Sequence, residues 1–227
     1  MNKKALIFGG SGQDGSYMCK LLLEKKYEII SVTRNLNKKS NHQKIKIEKG
    51  VSRKKINIYK KKEIEKLINS SQCDEIYFFS GQTSPLKSYK QPYNTIISSI
   101  IPVYYILEAI KNSKKRIKFF NASSCEIFAS SKKMKNEKSK MEPSSPYGLS
   151  KLITFYFTKF YREQYKLKCF SSISFHHESI LRKKNFLIPK IIDAAKKISI
   201  NKKKKLYLGN INIIKDWGWA PEHVNLI

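Results

Sequence analysis

The chain has 227 residues and a hydrophobic content of 41%, which is enough to bury a sizeable core and excludes a small disulfide-stapled fold. Its formal net charge of +29 raises nucleic acid as a partner, but nearly all of the positive charge is lysine, and arginine, the usual reader of base edges, is scarce. The four cysteines, Cys19, Cys73, Cys125 and Cys169, lie far apart without a CxxC pair, which argues against a zinc site and a disulfide framework.

These bulk properties predict a soluble protein of the reducing cytoplasm with no metal and no nucleic-acid partner. No apolar stretch approaches membrane-spanning length, and the lysines at the start lead directly into a strand-like run, so we also expect no membrane partner. An anionic small substrate is compatible with the charge.

Short β-branched or aromatic runs predict six strands, at 5–8, 28–32, 56–59, 75–79, 116–120 and 169–175. Helical spacing between most of them predicts helices over 14–26, 61–70, 93–113 and 147–165. This alternation predicts an α/β fold with a doubly wound parallel sheet. The polar, lysine-rich segment 35–55 is expected to be an irregular connection, and 129–146 a surface loop.

Three glycines follow the first predicted strand and precede the first predicted helix. Gly9, Gly12 and Gly15 have the context that a dinucleotide-binding turn requires, although a tight strand-to-helix turn alone would need the same residues. Arg34 closes the second predicted strand, where an acidic residue would normally bind an unphosphorylated ribose. An arginine there suits the additional phosphate of NADP, and a solvated loop cation is the alternative.

Four further residues suggest acid–base chemistry at a hydroxyl. Tyr147 and Lys151 lie one helical turn apart, so the ammonium is expected to lower the pKa of the phenol. Ser124 and Glu126 come just beyond the fifth predicted strand, where open α/β sheets place ligands. Chance spacing on a helix and a helix cap are the ordinary explanations of the two pairs.

Taken in order, these motifs resemble the extended short-chain dehydrogenase/reductases, and within them the GDP-mannose 4,6-dehydratase family. The resemblance covers essentially the whole chain, through "GGSGQDGSYM", "GQTS", "SSCEIF", "SPYGLSK", "FHHES" and "KDWGWA". It implies an NADP-binding Rossmann-like domain over 1–175 and the start of a smaller, interleaved substrate-binding region over 176–227. The family continues further, so we expect this chain to be truncated at its C-terminus.

The resemblance also implies the site residues. Ser124, Glu126, Tyr147 and Lys151 would be catalytic. The cofactor would contact Gly9, Gly12, Gln13, Asp14, Gly15, Arg34, Gln82, His177 and Arg182. The substrate would contact Glu178, Ser179 and Asn185. The alternatives are a core or surface role for His177 in "FHHES" and a packing role for Trp217 in "KDWGWA".

The sequence departs from the family pattern in four places, one of which is the missing acidic residue after the third predicted strand, in "INIYKKK". Ser124 replaces a threonine and keeps its hydroxyl, "HHESILRK" replaces "NHESPRRG", and the lysine of "KDWG" replaces an arginine. The resemblance therefore matches the family more closely at the cofactor contacts than at the substrate contacts.

The resemblance implies conversion of GDP-mannose, or a similar sugar nucleotide, into a 4-keto-6-deoxy sugar by an internal NADP redox cycle. Because further substrate-binding segments follow in the family, we expect these residues to bind NADP with little or no turnover. A homo-oligomer is compatible with the sequence. The alternatives are another sugar-nucleotide epimerase, dehydratase or reductase, and a non-catalytic nucleotide-binding remnant.

Overall fold

A six-stranded parallel sheet forms the centre of the protein. The computed structural model describes residues 2–37, 40–128, 133–201 and 205–227. The strands are β1 (Lys4–Phe8), β2 (Glu28–Thr33), β3 (Val51–Lys55), β4 (Glu75–Phe78), β5 (Lys118–Ala122) and β6 (Cys169–Ser172). Their order is β3-β2-β1-β4-β5-β6, so the order reverses between β1 and β4, where α/β sheets open a crevice for a ligand.

Helices cover both faces of this sheet. They are α1 (Gln13–Glu24), α2 (Asn41–Lys44), α3 (Lys61–Ser71), α4 (Pro85–Lys90), α5 (Pro92–Lys111), α6 (Pro146–Gln164), α7 (Leu187–Ser199) and α8 (Ala220–Asn225). In β1, Leu6 and Phe8 belong to one core cluster while Ala5 and Ile7 belong to the other. The central strand is thus buried on both faces, and the predicted doubly wound α/β fold is confirmed.

The region 176–227 adds a small parallel sheet of β7 (His176–Glu178) and β8 (Trp217–Trp219). The following helix, α8, packs against α1, and its Ala220 and Val224 are buried in the same core cluster as Met18. This region therefore contributes to the core of the main sheet. The domain boundary at residue 175 stays a prediction.

The third strand lies earlier than the sequence predicted. The prediction of a strand over 56–59 was wrong, because β3 occupies 51–55 and pairs with β2 as the edge of the sheet. Only the first residue of β3 is apolar, so this edge strand lacks the alternation of apolar residues that predicts a strand. Ile56 and Ile58, in the connection that follows, are buried in the core. The prediction of an irregular connection over 35–55 is corrected with it.

Helix α5 contradicts the expectation that no apolar stretch approaches membrane-spanning length. It has 20 residues and a mean hydropathy of 1.2, so by length and composition it could cross a membrane. Half of this stretch is buried in the fold, where α5 packs against α3 and α6. The apolar composition is also what a core helix requires, and such helices commonly pass the same test.

Residues 133–145 contain no helix or strand, as the prediction of a surface loop requires. The part of that prediction covering 129–132 lies outside the described residues. The four cysteines are free thiols.

Candidate active site

The turn between β1 and α1 is packed so closely that side chains are excluded at two of its glycines. Gly9 has a φ of +81°, and a Cβ there would lie 2.8 Å from the carbonyl carbon of Phe79. A Cβ on Gly15 would lie 2.4 Å from the carbonyl oxygen of Gly9. Gly12 begins α1 as its N-cap, and its N–H donates to Gly9 O at 2.8 Å. The glycine pattern thus fixes a tight turn at the N-terminus of a helix.

This turn forms one wall of a cavity of about 790 Å³ at the crevice between β1 and β4. Among the sequence-predicted residues, the cavity is lined by Gly9, Gly12, Gln13, Asp14, Gly15, Arg34, Gln82, Arg182 and Asn185. Ser11 lines it as well, and its buried Oγ has no hydrogen-bond partner within the described ranges. An unpaired hydroxyl beside a helix N-terminus fits the phosphates of a dinucleotide.

Two of the predicted cofactor residues, Asp14 in α1 and His177 in β7, bind each other. Asp14 Oδ1 lies 3.0 Å from His177 Nε2, and His177 Nδ1 lies 2.7 Å from the carbonyl oxygen of Phe175. Both partners only accept, so a doubly protonated ring satisfies both contacts. Burial opposes the charges, but the pairing lowers the pKa of Asp14 and raises the pKa of His177. The sequence did not reveal this pair.

Gln13 strengthens the same connection. Its Nε2 donates to His177 O at 3.2 Å, and its Oε1 accepts from the Ser179 hydroxyl at 2.9 Å. Ser179 lines neither this cavity nor the one described next, so the structure gives it a contact within the chain. Its predicted role toward the substrate stays a prediction.

The predicted catalytic residues meet in a second cavity of about 420 Å³. Ser124, Glu126, Tyr147 and Lys151 line it, together with His177, Glu178, Arg182 and Asn185. The two cavities share Asp14, Phe79, Arg182 and Asn185 among their lining residues, so they adjoin. A ligand bound along the glycine turn would therefore end beside Tyr147.

The electrostatics of Tyr147 differ from the sequence expectation. Burial raises the pKa of Tyr147 to about 12, although a hydrogen bond with the Ser124 hydroxyl lowers it. Lys151 donates to the carbonyl oxygen of Ala122 at 2.7 Å, and its Nζ lies 5.8 Å from the centre of the Tyr147 ring. Burial also lowers the pKa of Lys151 to about 8. In this structure desolvation dominates the pKa of Tyr147, and the opposing effects come from Ser124 and Arg182 rather than from Lys151.

Glu126 has two basic neighbours that the sequence analysis did not assign. Its Oε1 lies 3.5 Å from His176 Nε2 and 3.7 Å from Lys215 Nζ. His176 and then Lys215 lower the pKa of Glu126, although burial opposes them. The carboxyl group is thus held ionised, as a base requires. The only available signal was the position of both neighbours in the recognised segments "FHHES" and "KDWGWA".

Helix α6 approaches Glu126 through a glycine. A Cβ on Gly148 would lie 2.2 Å from the carbonyl oxygen of Glu126. The N–H of Gly148 also donates to the side chain of Ser145, the N-cap of α6. This close approach places Tyr147 beside the turn that carries Ser124 and Glu126.

Glu178 and Arg182 form a half-buried pair in the catalytic cavity. Arg182 Nε lies 3.4 Å from Glu178 Oε1, and its guanidinium stacks 3.9 Å from the centre of the Phe186 ring. Burial raises the pKa of Glu178, and Arg182 lowers it. The stacked guanidinium is suited to an anionic ligand.

Comparison with known proteins identifies the family. A family model described as GDP-mannose 4,6 dehydratase matches residues 6–227. The chain belongs to the GDP-mannose 4,6-dehydratase family. It is 33% identical to the GDP-mannose 4,6-dehydratase of Sinorhizobium fredii over 98% of this chain and 66% of that protein. It is 32% identical to GDP-mannose 4,6 dehydratase 1 of Arabidopsis thaliana over 98% of this chain and 65% of that protein. The chain thus spans about two thirds of the length of these relatives.

Solved structures of sugar-nucleotide enzymes share the fold of this dehydratase family member. A UDP-N-acetylglucosamine 4-epimerase from Methanobrevibacter ruminantium has a TM-score of 0.85 and 19% identity, over 99% of this chain and 71% of that chain. The dTDP-glucose 4,6-dehydratase of Streptomyces venezuelae, solved with NAD bound, has a TM-score of 0.84 and 17% identity, over 98% of this chain and 70% of that chain. At these identities the likeness establishes the fold.

Proposed function

We propose that the protein binds NADP and acts on GDP-mannose as a 4,6-dehydratase. The observation that carries this proposal is that two cavities adjoin, one lined by the glycine turn and the other by Ser124, Glu126 and Tyr147. Family membership supports the reaction class. Cytoplasmic location and self-association remain predictions.

The residues of the larger cavity fit NADP. The backbone N–H groups at the start of α1 and the unpaired Ser11 hydroxyl suit the pyrophosphate, and Arg34 follows β2 at the position expected for a 2′-phosphate contact. When bound, the nicotinamide supplies a reversible hydride acceptor. The dTDP-glucose dehydratase structure with NAD is consistent with a nicotinamide cofactor in this fold.

Tyr147 would accept the proton of the sugar's 4-hydroxyl as that carbon is oxidised to a ketone. With a pKa of about 12 the phenol is protonated at neutral pH, so it can act as a base only where that pKa is lowered. A cationic ring bound in the cavity would lower the pKa of Tyr147, and Ser124 already acts in that direction. Lys151 holds its ammonium on the same face of α6.

Glu126 would then remove the proton from carbon 5, which the new 4-ketone makes acidic. The carbon 6 hydroxyl departs with a proton as water, and carbon 6 takes back the hydride while carbon 5 takes up a proton. The net change is GDP-mannose to GDP-4-keto-6-deoxymannose plus water. Lys215 and His176 keep the Glu126 carboxyl ionised for its step.

The reaction is tested by incubating the protein with NADP and GDP-mannose in deuterated water, with enzyme in excess so that a single turnover is detectable by mass spectrometry and NMR. Turnover is expected to be small, and the product should have lost one water and carry deuterium at carbon 5. Tyr147→Phe should abolish all conversion, and Glu126→Gln should stop water loss. Tyr156→Phe, an exposed tyrosine on the same helix, is the matched control. A product that keeps its 6-hydroxyl would indicate an epimerase instead.

The choice of cofactor is tested separately by titration calorimetry. We expect Arg34 to favour NADP over NAD by about ten-fold through a charge-assisted bond to the 2′-phosphate. Arg34→Ala should remove most of this preference, whereas Arg116→Ala, an exposed arginine outside both cavities, should preserve it. Equal affinities in the unmodified protein would reject this role for Arg34.

A further inference from the structure

A buried histidine contacts the glycine turn from outside the cofactor cavity. His42 in α2 is fully buried, and its Nε2 lies 2.8 Å from the carbonyl oxygen of Gly10. The same oxygen accepts a hydrogen bond from the Ser16 hydroxyl at 2.9 Å. Neither His42 nor Ser16 lines the cavity, whereas Ser11 does. The Gly10 carbonyl is therefore held by two donors that lie behind the turn.

The hydrogen bond fixes the state of the histidine ring. Because a carbonyl only accepts, Nε2 carries the proton and donates it. Nδ1 is buried and has no hydrogen-bond partner in the part of the chain that the structure describes. Burial lowers the pKa of His42, and the charge of Arg53 acts in the same direction. The ring is thus neutral, with one nitrogen bonded to the turn and the other unsatisfied at a cost to stability.

We propose that His42 is a positioning residue that sets the orientation of the Gly10–Ser11 peptide for phosphate binding. The described peptide bonds are all trans, so the N–H of Ser11 points opposite to the Gly10 carbonyl. Holding that carbonyl behind the turn directs the N–H toward the cavity that Ser11 lines. The inference rests on the proposed dinucleotide site.

The sequence of the turn explains why such a clamp is useful. Gly10 cannot carry a side chain, because a Cβ there would lie 2.4 Å from Ser31 Oγ. A glycine restrains its following peptide less than other residues do, so the orientation depends on external hydrogen bonds. His42 and Ser16 supply them, and the unpaired Ser11 hydroxyl is left for the same anion.

Two small ligands separate this role from general stability. ADP-ribose contains the pyrophosphate that the turn would bind, whereas adenosine 2′-monophosphate lacks it and depends on the Arg34 side of the cavity. Calorimetry should show that His42→Leu weakens ADP-ribose binding about ten-fold and changes adenosine 2′-monophosphate binding less than about two-fold. His42→Gln, whose amide nitrogen can replace Nε2 as a donor, should restore ADP-ribose affinity to within about three-fold.

Ile45→Ala is the matched control, because it removes a partly buried contact of the same segment with the core and leaves the Gly10 bond in place. It should leave both affinities within about two-fold of the unmodified protein. If circular dichroism shows that His42→Leu does not fold, His42→Asn takes its place, since its shorter amide stops short of Gly10 and the same loss is expected.

Unchanged ADP-ribose binding in the Leu or Asn variant would overturn the proposal. Equal weakening of both ligands would also overturn it, because His42 would then only stabilise the fold. If the unmodified protein bound neither ligand, the dinucleotide site and the proposed function would be rejected. The role of His42 would then be rejected too, because it rests on that site.

Discussion

The glycine-turn end and the β7–β8 end of the two adjoining cavities are held in place by different kinds of interaction. At the glycine turn, close backbone packing and buried apolar strands determine the geometry, with Gly9 and Gly15 filling positions that admit no side chain. At the β7–β8 end, hydrogen-bonded ionisable groups do so: His177 bonds to Asp14, and Lys215 and His176 lie beside Glu126. The first end should respond mainly to changes of volume. The second should respond mainly to pH and to loss of charge.

The largest expected effect tests whether the two sheets contribute differently to the free energy of unfolding. Phe78 in β4 is buried, so Phe78→Ala should lower the free energy of unfolding by about 3–5 kcal/mol. Trp217 in β8 is 39% exposed, so its side chain buries a smaller fraction of its apolar surface when the protein folds. Trp217→Ala should therefore lower the free energy of unfolding by less than about 2 kcal/mol. Urea unfolding followed by circular dichroism measures both. Equal losses would show that the small sheet stabilises the fold as strongly as the large one.

The next effect concerns the junction between the two ends. Gly148→Ala should lower the free energy of unfolding by about 1–3 kcal/mol, because its Cβ would press against the backbone of Glu126. Gly209→Ala is the control, since its Cβ would meet nothing within 4 Å. The same urea titration serves here. A Gly148→Ala protein as stable as the control would mean that α6 can shift without cost.

The pH dependence of the Asp14–His177 pair gives a third, smaller effect. The lowered pKa of Asp14 stabilises the fold above its unfolded pKa of about 3.9, and this contribution is lost as pH falls through the folded value. The raised pKa of His177 stabilises the fold below about 6.5, and this contribution is lost as pH rises through the folded value. The pair therefore stabilises the protein most between about pH 4 and pH 6.5.

We expect His177→Leu to lower the free energy of unfolding by about 1–2 kcal/mol at pH 5.5 and by less at pH 9. Lys197→Gln, which removes the exposed Lys197–Asp193 pair, should cost less than about 0.5 kcal/mol at both values. Thermal or urea unfolding over a pH series measures the difference. A His177→Leu loss that is constant across the series would contradict the assignment of an ion pair.

The smallest expected effect is a local change in ionisation at Glu126. Lys215→Gln should raise the pKa of Glu126 toward its ordinary value, while the free energy of unfolding changes by less than about 1 kcal/mol. NMR titration of the ¹³C-labelled carboxyl group measures this pKa, with Lys190→Gln on α7 as the control outside both cavities. An unchanged midpoint would mean that His176 alone holds the carboxyl group ionised.

Sequence reasoning succeeded where local pattern and fold agree. The apolar run before Gly9 becomes the buried strand β1, and the segment holding Tyr147 and Lys151 becomes α6 with both side chains in one cavity. It failed at β3, because an edge strand needs few apolar residues and its lysines resemble a loop. Ile56 and Ile58 were then predicted to form a strand, although they lie in the irregular connection after β3.

The electrostatics of the site could not be obtained from spacing. A separation of four residues places Lys151 near Tyr147, but the pKa of each depends on burial, which only the assembled fold determines. Likewise, Asp14 and His177 are separated by most of the chain, and nothing local to either residue predicts their contact. Most of the residues that line the two cavities could be predicted, whereas their pKa shifts could not.

The bonds from α1 to β7 also bear on how the chain folds as it is synthesised. Every strand of the six-stranded sheet has been made once Ser172 has emerged from the ribosome. Gln13 and Asp14 nevertheless lack their partners until His177 and Ser179 have followed. Contacts that span so much of the sequence close late, because the loop entropy must be overcome first. The glycine turn is thus translated well before β7 and reaches its final arrangement only after β7 has followed.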